Sequence, residues 1–168
     1  QDELWAGAKD GSIACVATDE LCCSLTVKTQ GRRIDDTTGG NSGVEPRVAL
    51  MYTEMVGKRG FTLREFVDRV STNAAKVMGM YPRKGALAVG ADADVCILDP
   101  SLKRTVRAEA LHESDYTPWE GRQVDAWPWM TILRGQVMVE GDRWLGDAKG
   151  GQWLKRRIPD EIRNSPHL

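Results

Sequence analysis

The chain has 168 residues and carries 23 basic and 24 acidic side chains, for a formal net charge of −1. This length allows one domain with a substantial core, and the balanced charge gives no reason to expect a nucleic-acid or anionic-membrane partner. No apolar run approaches the roughly 20 residues of a membrane-spanning helix, and the acidic start of the chain is unlike a signal peptide. We therefore expect a soluble, cytoplasmic protein.

An apolar run at residues 12–18 ends at Asp19. Such a run is typical of a fully buried parallel strand, although a short buried helix can have the same pattern. A carboxylate just beyond the C-terminal end of a buried strand lies where barrel enzymes place their catalytic groups. An aspartate in this position is also a common cap or turn residue, so this segment alone leaves both roles of Asp19 open.

The spacing of apolar residues predicts a first helix after the turn-rich loop at 35–43. Glu45 suits the positive start of this helix, and Gly57 supplies a stop. The residues expected on its apolar face are Val44, Val48, Met51 and Met55.

A second helix is predicted directly after the first. Thr62 and Glu65 have the spacing of a capping box, in which each side chain accepts a hydrogen bond from the backbone of the other residue. The apolar stripe of this helix consists of Leu63, Phe66, Val67 and Val70.

Past Gly79 the pattern changes to short extended segments, several of them separated by glycine turns at hairpin distances. This pattern predicts a small antiparallel β unit with Trp144 packed inward. The predicted strands are residues 86–89, 95–98, 105–108, 131–133, 137–139 and 143–145. The tryptophans that we expect in a core or at a subunit contact are Trp119, Trp127, Trp129, Trp144 and Trp153.

The cysteines and histidines do not follow a metal-binding pattern. We expect the cysteines, which lack paired Cys-x-x-Cys spacing, to be buried and reduced. His112 and His167 are isolated from each other in sequence, and we expect them to have structural or tail roles. The four cysteines are Cys15, Cys22, Cys23 and Cys96.

Four short motifs carry a family resemblance. The chain reads Ser-Thr-Asn-Ala-Ala-Lys at 71–76, Tyr-Pro-Arg-Lys-Gly at 81–85, Gly-Ala-Asp-Ala-Asp at 90–94 and Trp-Glu-Gly at 119–121. Together they resemble the C-terminal portion of the D-hydantoinase and dihydropyrimidinase family, which are cyclic amidases of the amidohydrolase superfamily. The first and third motifs are shared by many amidohydrolases, whereas the second and fourth point more narrowly to the cyclic-imide branch.

The resemblance implies an α/β fold in two parts. Residues 1–80 would form the terminal βα unit of a (β/α)8 barrel, including its last strand and helices. Residues 81–168 would form the C-terminal strands of a β-sandwich domain and a tail. A single barrel strand cannot close a barrel, so we expect this part to need the missing N-terminal part of the same enzyme or self-association.

The resemblance also implies the chemistry. Thr18 and Asp19 resemble the end of the family's eighth barrel strand, where the aspartate is a metal ligand and a proton shuttle. The family holds a binuclear Zn²⁺ centre, whose remaining ligands would come from histidines and a carbamylated lysine outside this chain. The substrate would be a small cyclic imide or amide, and the enzyme would be a homo-oligomer, a tetramer by resemblance.

The substrate loop is expected at Gly39, Gly40 and Asn41. In the family this loop often reads Pro-Asn-Gly, and by spacing Thr38, Gly39 and Gly40 take its place. The family's His-Cys-Pro after the catalytic aspartate is also replaced, by the sequence Glu-Leu-Cys at 20–22. These two departures imply an altered pocket rim, so the substrate preference stays open.

Two other functions fit the same sequence. One is a non-catalytic, dihydropyrimidinase-related interaction protein, although the retained Asp19 argues against it. The other is a different amidohydrolase, such as an allantoinase or a dihydroorotase. Histidine and lysine ligands in an upstream sequence would separate the catalytic and non-catalytic interpretations.

Overall fold

Helices fill the first half of the chain and strands fill much of the second half in the structure, a computed structural model that describes residues 1–165. The helices are α1 (Asp2–Asp10), α2 (Leu25–Lys28), α3 (Val44–Met51), α4 (Leu63–Val67), α5 (Asn73–Val77) and α6 (Asp160–Arg163). The strands are β1 (Val95–Asp99), β2 (Arg104–Thr105), β3 (Gln123–Val124), β4 (Trp127–Leu133), β5 (Gln136–Glu140) and β6 (Arg143–Trp144). The expected mixed α/β class is therefore confirmed.

Helix α3 forms where the apolar spacing predicted it. It continues through a π-helical segment, Tyr52–Gly57, and through Lys58 and Arg59. The predicted stop at Gly57 is therefore wrong, and the helix ends before Gly60, which has a φ of 66°. Met55 is fully buried, whereas Val44 at the opposite end of the predicted face is exposed. The helix therefore turns its C-terminal half into the core and leaves its start near solvent.

The predicted capping box at the start of α4 is confirmed. The Thr62 hydroxyl accepts a hydrogen bond from the Glu65 amide at 3.2 Å, and the Glu65 carboxylate accepts one from the Thr62 amide at 2.7 Å. Hydrogen bonds from Lys9 and Thr62 lower the pKa of Glu65 to about 2. The predicted apolar stripe is only partly buried, because Phe66 packs inward while the side chain of Leu63 stays 62% exposed.

The second half forms an antiparallel β unit, as predicted. The strands of the larger sheet lie in the order β1-β4-β5-β6, and β2 pairs with β3 in a separate two-stranded sheet. Every strand pair among residues 1–165 is antiparallel. Three details were wrong. Residues 86–89 form turns and irregular structure instead of a strand, and only the first residue of the strand predicted at 105–108 is extended, because β2 ends at Thr105. Trp144 is 62% exposed because it lies on the short edge strand β6.

The predicted buried strand at residues 12–18 is also wrong. This segment has no regular secondary structure and is mostly half-buried. A strand needs a neighbouring strand to share its backbone hydrogen bonds, and within the described chain the segment contacts helical residues instead. The Val16 amide donates to the Arg69 carbonyl at 3.0 Å, and the Asn73 side chain donates to the Ala14 carbonyl at 2.9 Å. These contacts hold the chain that leads to Asp19.

Two apolar clusters form the core. One joins α1 to the helices after it, through Ala8, Met55, Phe61 and Phe66. The other joins α3 to the β unit, through Ala49, Leu50, Val106, Val124 and Trp127. Trp119 packs against this second cluster, whereas Trp129, Trp144 and Trp153 are exposed. Leu98 of β1 also packs against the first cluster, so the strand-rich part contributes to both.

All four cysteines are free thiols, but their predicted burial is wrong, because none of them is buried. Cys22 and Cys96 are exposed, and Cys15 and Cys23 are half-buried.

None of the helices described within residues 1–165 has the length and apolar character that a membrane-spanning helix needs.

Thr53 joins the helical part to the β unit by hydrogen bonds. Its buried hydroxyl donates to the Ala49 carbonyl at 2.9 Å and accepts from the Asp125 amide at 2.8 Å. Thr53→Val keeps the side-chain shape but leaves that amide without its acceptor. We expect the free energy of unfolding to fall by about 1–3 kcal/mol, the usual cost of a buried unsatisfied polar group.

Urea unfolding of the Thr53→Val protein measures this effect. The matched control is Thr105→Val, which changes an exposed threonine of β2 and should alter stability by no more than about 0.5 kcal/mol. Equal stabilities for the two variants would contradict the role of Thr53.

Candidate functional site

Asp19 lies at the end of the irregular segment, with an exposed side chain and a positive φ of 49°. This left-handed backbone conformation is uncommon for a residue with a side chain, but aspartate tolerates it better than most. It turns the chain sharply before Glu20. The carboxylate is therefore presented at the surface of the described chain, at a turn.

The predicted substrate loop packs directly against this turn. Gly40 has a φ of 74°, and a Cβ placed on it would lie 2.7 Å from the Leu21 Cβ and 3.0 Å from the Asp19 carbonyl oxygen. Only glycine fits so close a contact. At Gly39, by contrast, a Cβ would meet no atom within 4 Å among the described residues. The structure thus brings Asp19 and Gly40 together and leaves the loop open beside them at Gly39 and Asn41, which are both exposed.

Lys28 holds the same loop from another side. Its ammonium group donates hydrogen bonds to the Thr38 carbonyl at 2.6 Å and to the Gly40 carbonyl. No pattern in the sequence predicts this role of Lys28, because α2 is only four residues long and has no apolar periodicity. The one local signal is Ser24, whose side chain caps the helix by accepting from the Val27 amide.

Glu20, next to Asp19, caps helix α3. Its carboxylate accepts hydrogen bonds from the Gly43 amide at 2.8 Å and from the Val44 amide. Burial raises the pKa of Glu20, but hydrogen bonds from the Cys22 thiol and from these two amides outweigh that effect, so the net pKa is lowered. In turn, the hydrogen bond to Glu20 is the main cause that raises the pKa of Cys22 to about 11. The unusual sequence after Asp19 thus has a structural role.

The same helix start is tied to the β unit. The Glu113 carboxylate accepts from the Glu45 amide at 2.8 Å, and the buried Ser42 hydroxyl donates to the Tyr116 carbonyl at 3.0 Å. Glu45 itself accepts from the His112 amide at 2.7 Å and lies 3.0 Å from His112 Nδ1. That carboxylate raises the pKa of His112.

His112 does not join Asp19 in a metal-binding group within the described chain. His112 lies against Glu45, while His167 falls outside the described residues. Among residues 1–165, no three histidine, cysteine, aspartate or glutamate side chains come together in a way that could hold a metal ion. The described chain does not form a metal centre alone, and any centre that used Asp19 would need further ligands.

The lowered pKa of Glu20 predicts a pH-dependent contribution to stability. Folding favours the ionised carboxylate, so its stabilisation is present above the ordinary glutamate pKa of about 4.3 and is lost as the pH falls through the lowered folded-state value. We expect Glu20→Gln to lower the free energy of unfolding at neutral pH by about 0.3–1 kcal/mol, as for other charges at helix starts.

Chemical unfolding from neutral to acidic pH tests this expectation, with Glu109→Gln as a control at an exposed glutamate. The difference between the Glu20→Gln protein and the parent should shrink toward acidic pH. A difference that does not change with pH would show that the Glu20 charge does not stabilise α3.

The chain is similar to proteins of a known family. The sequence model of the amidohydrolase family matches residues 2–138. The D-hydantoinase of Geobacillus stearothermophilus is 40% identical over 161 residues, which cover 93% of this chain and 34% of that protein. The D-phenylhydantoinase of Escherichia coli O1:K1 is 35% identical, with coverage of 94% of this chain and 35% of that protein.

Solved structures of hydantoinases and dihydropyrimidinases are also similar to this chain. A D-hydantoinase (dihydropyrimidinase) from Thermus sp. superimposes with a TM-score of 0.88 at 35% identity, covering 93% of this chain and 34% of that chain. A dihydropyrimidinase from Brevibacillus agri gives a TM-score of 0.90 at 35% identity, covering 94% of this chain and 35% of that chain. The chain thus spans about a third of the length of these relatives. The resemblance expected from the motifs is confirmed, and the chain belongs to the amidohydrolase family.

Proposed function

We propose that this chain is the C-terminal part of a cytoplasmic, metal-dependent hydrolase that opens hydantoin or dihydropyrimidine rings. The observation that supports the proposal is the close contact between Gly40 of the predicted substrate loop and the backbone of Asp19, the residue that carries the candidate acid–base carboxylate. The names of the related proteins, D-hydantoinase and dihydropyrimidinase, support the same class of reaction.

The reaction adds water to an amide carbonyl of the ring and breaks the C–N bond. We assign Asp19 the proton transfers: its carboxylate accepts the proton that the attacking water loses and returns it to the leaving ring nitrogen. A side chain in this role needs a carboxylate that can reach the reacting atoms, and the exposed Asp19 at a tight turn meets that requirement.

A pair of zinc ions, when bound, would acidify the water and polarise the carbonyl. We propose Asp19 as one ligand of this centre and place the other ligands in the missing N-terminal part. A lone carboxylate does not hold such a centre, so the 168-residue chain by itself should be inactive.

We assign the loop at Gly39, Gly40 and Asn41 to the rim of the substrate pocket. Glycine at these positions lets the backbone approach a flat ring closely, and backbone carbonyl groups can accept hydrogen bonds from ring N–H groups. A Cβ on Gly39 would meet no atom within 4 Å among residues 1–165, and such open space suits a rim that meets the substrate through its backbone.

Exposed apolar side chains support an assembly larger than this chain. Leu87 is 83% exposed and Leu63 is 62% exposed, and both line one open apolar groove beside β1. We propose that the missing part of the enzyme and the other subunits of a homo-oligomer, a tetramer by resemblance, cover such surfaces. No observation favours the alternative of a non-catalytic interaction protein.

Asp19→Asn in the full-length protein tests the proposed mechanism. The substitution keeps the side-chain shape but removes the basicity needed to accept a proton. General acid–base groups contribute about 10² to 10⁴ in rate, so turnover of hydantoin or dihydrouracil should fall by at least about a hundredfold while the protein stays folded.

Ring opening by the variant is measured beside Asp35→Asn, which changes an exposed aspartate paired with Arg33. The control should turn over at close to the parent rate. Turnover of Asp19→Asn within about fivefold of the parent would remove Asp19 from the mechanism, because that is well below the contribution of an acid–base group.

A further inference from the structure

Lys28 is the one residue of α2 whose side chain bonds to the predicted substrate loop in the part of the chain that the structure describes. Its half-buried ammonium group donates to the Thr38 carbonyl at 2.6 Å and to the Gly40 carbonyl. Both acceptors are backbone groups that flank Gly39. Hydrogen bonds from a charged donor are stronger than those between neutral groups, so this pair fixes the position of the loop on both sides of its open glycine.

The loop has few other means of holding its shape. Residues 37–43 contain no helix or strand, and two adjacent glycines give the backbone more freedom than other residues would. The loop also meets the backbone of Asp19 and Leu21 through the close contact at Gly40. Lys28 and the contact at Gly40 therefore hold the loop next to the backbone of the residue that we assign to proton transfer.

Lys28 is itself positioned by the β unit. A helix of four residues is too short to be stable alone. The Asp115 carboxylate accepts a hydrogen bond from the Leu25 amide at 2.8 Å, and the Ser114 hydroxyl donates to the Cys23 carbonyl at 2.8 Å. These hydrogen bonds hold the start of α2 in place, and this fixes the position from which the Lys28 side chain extends to the loop.

We propose that Lys28 is a positioning residue that sets where the Gly39 peptide stands relative to Asp19, and thereby how tightly the ring substrate binds. This inference rests on the proposed function. The ammonium group bonds the carbonyls of Thr38 and Gly40 and leaves the peptide between them to face the substrate. Loss of these two hydrogen bonds should weaken substrate binding more than it slows the chemical step.

The experiment compares Lys28→Met, Lys28→Arg and Lys103→Met in the full-length protein, with hydantoin and dihydrouracil as probes. Lys103 is an exposed lysine between β1 and β2 and serves as the matched control. For Lys28→Met we expect KM to rise about tenfold while kcat stays within about threefold, the pattern of lost uniform binding. Lys28→Arg, which keeps a charged donor, should recover most of the loss, and Lys103→Met should match the parent.

Amide hydrogen exchange of a peptide covering residues 37–42 gives a second readout that does not depend on activity. Exchange should be about tenfold faster in Lys28→Met and unchanged in Lys103→Met, since lost protection reports local opening. If Lys28→Met does not fold, Lys28→Gln, which keeps one amide donor, replaces it.

Unchanged exchange and a KM within twofold of the parent would overturn the inference. Faster exchange with an unchanged KM would also overturn it, because the Lys28 hydrogen bonds would then stabilise the loop without affecting substrate binding. A parent enzyme that opens neither ring would defeat the proposed function and the substrate role of the loop together. The exchange rates would still decide whether Lys28 holds the loop.

Discussion

The site depends on the first backbone amides of α3, which need hydrogen-bond acceptors from outside the helix. The first backbone N–H groups of a helix have no partner within the helix, and other groups must satisfy them. Here Glu20 accepts from Gly43 and Val44, and Glu113 accepts from Glu45. Because the two carboxylates come from opposite halves of the chain, one helix start joins the Asp19 turn to the β unit. The positive end of the helix dipole favours both charges.

The candidate site follows from this junction. Glu20 is bound to α3, so the adjacent Asp19 is held at the surface beside the loop that leads into the same helix. The region that supplies Glu113 also supplies Asp115, which anchors α2 and through it Lys28. The predicted substrate loop thus lies between the Asp19 turn and a lysine positioned from the β unit. Residues far apart in sequence meet here because each satisfies a backbone group of another element.

The parts of the fold that could be predicted from sequence depend on local signals. The capping box of Thr62 and Glu65 involves residues within a few positions of each other, so its energetics do not require the rest of the molecule. The hairpin between β4 and β5 is similar, since Gly135 lies in the turn that the spacing predicted.

The errors concern features that depend on distant partners. An apolar run such as 12–18 becomes a strand only beside another strand, and the described chain offers it Arg69 and Asn73 instead. The exposure of Trp144 reflects its place on an edge strand, which alternation alone does not reveal. Within the candidate site, Asp19 and the glycines stay predictions from the family resemblance. Lys28 could not be predicted because its partners are backbone carbonyls, which leave no pattern in the sequence.

The most direct test of the account is a crystal structure of the full-length protein with a non-hydrolysable hydantoin analogue bound. The account predicts that the ring lies between the Asp19 carboxylate and the backbone of Gly39 and Gly40, with the carboxylate within hydrogen-bond reach, about 3 Å, of the group in place of the scissile amide. An analogue bound in a pocket that touches neither Asp19 nor this loop would contradict the assignment of the site.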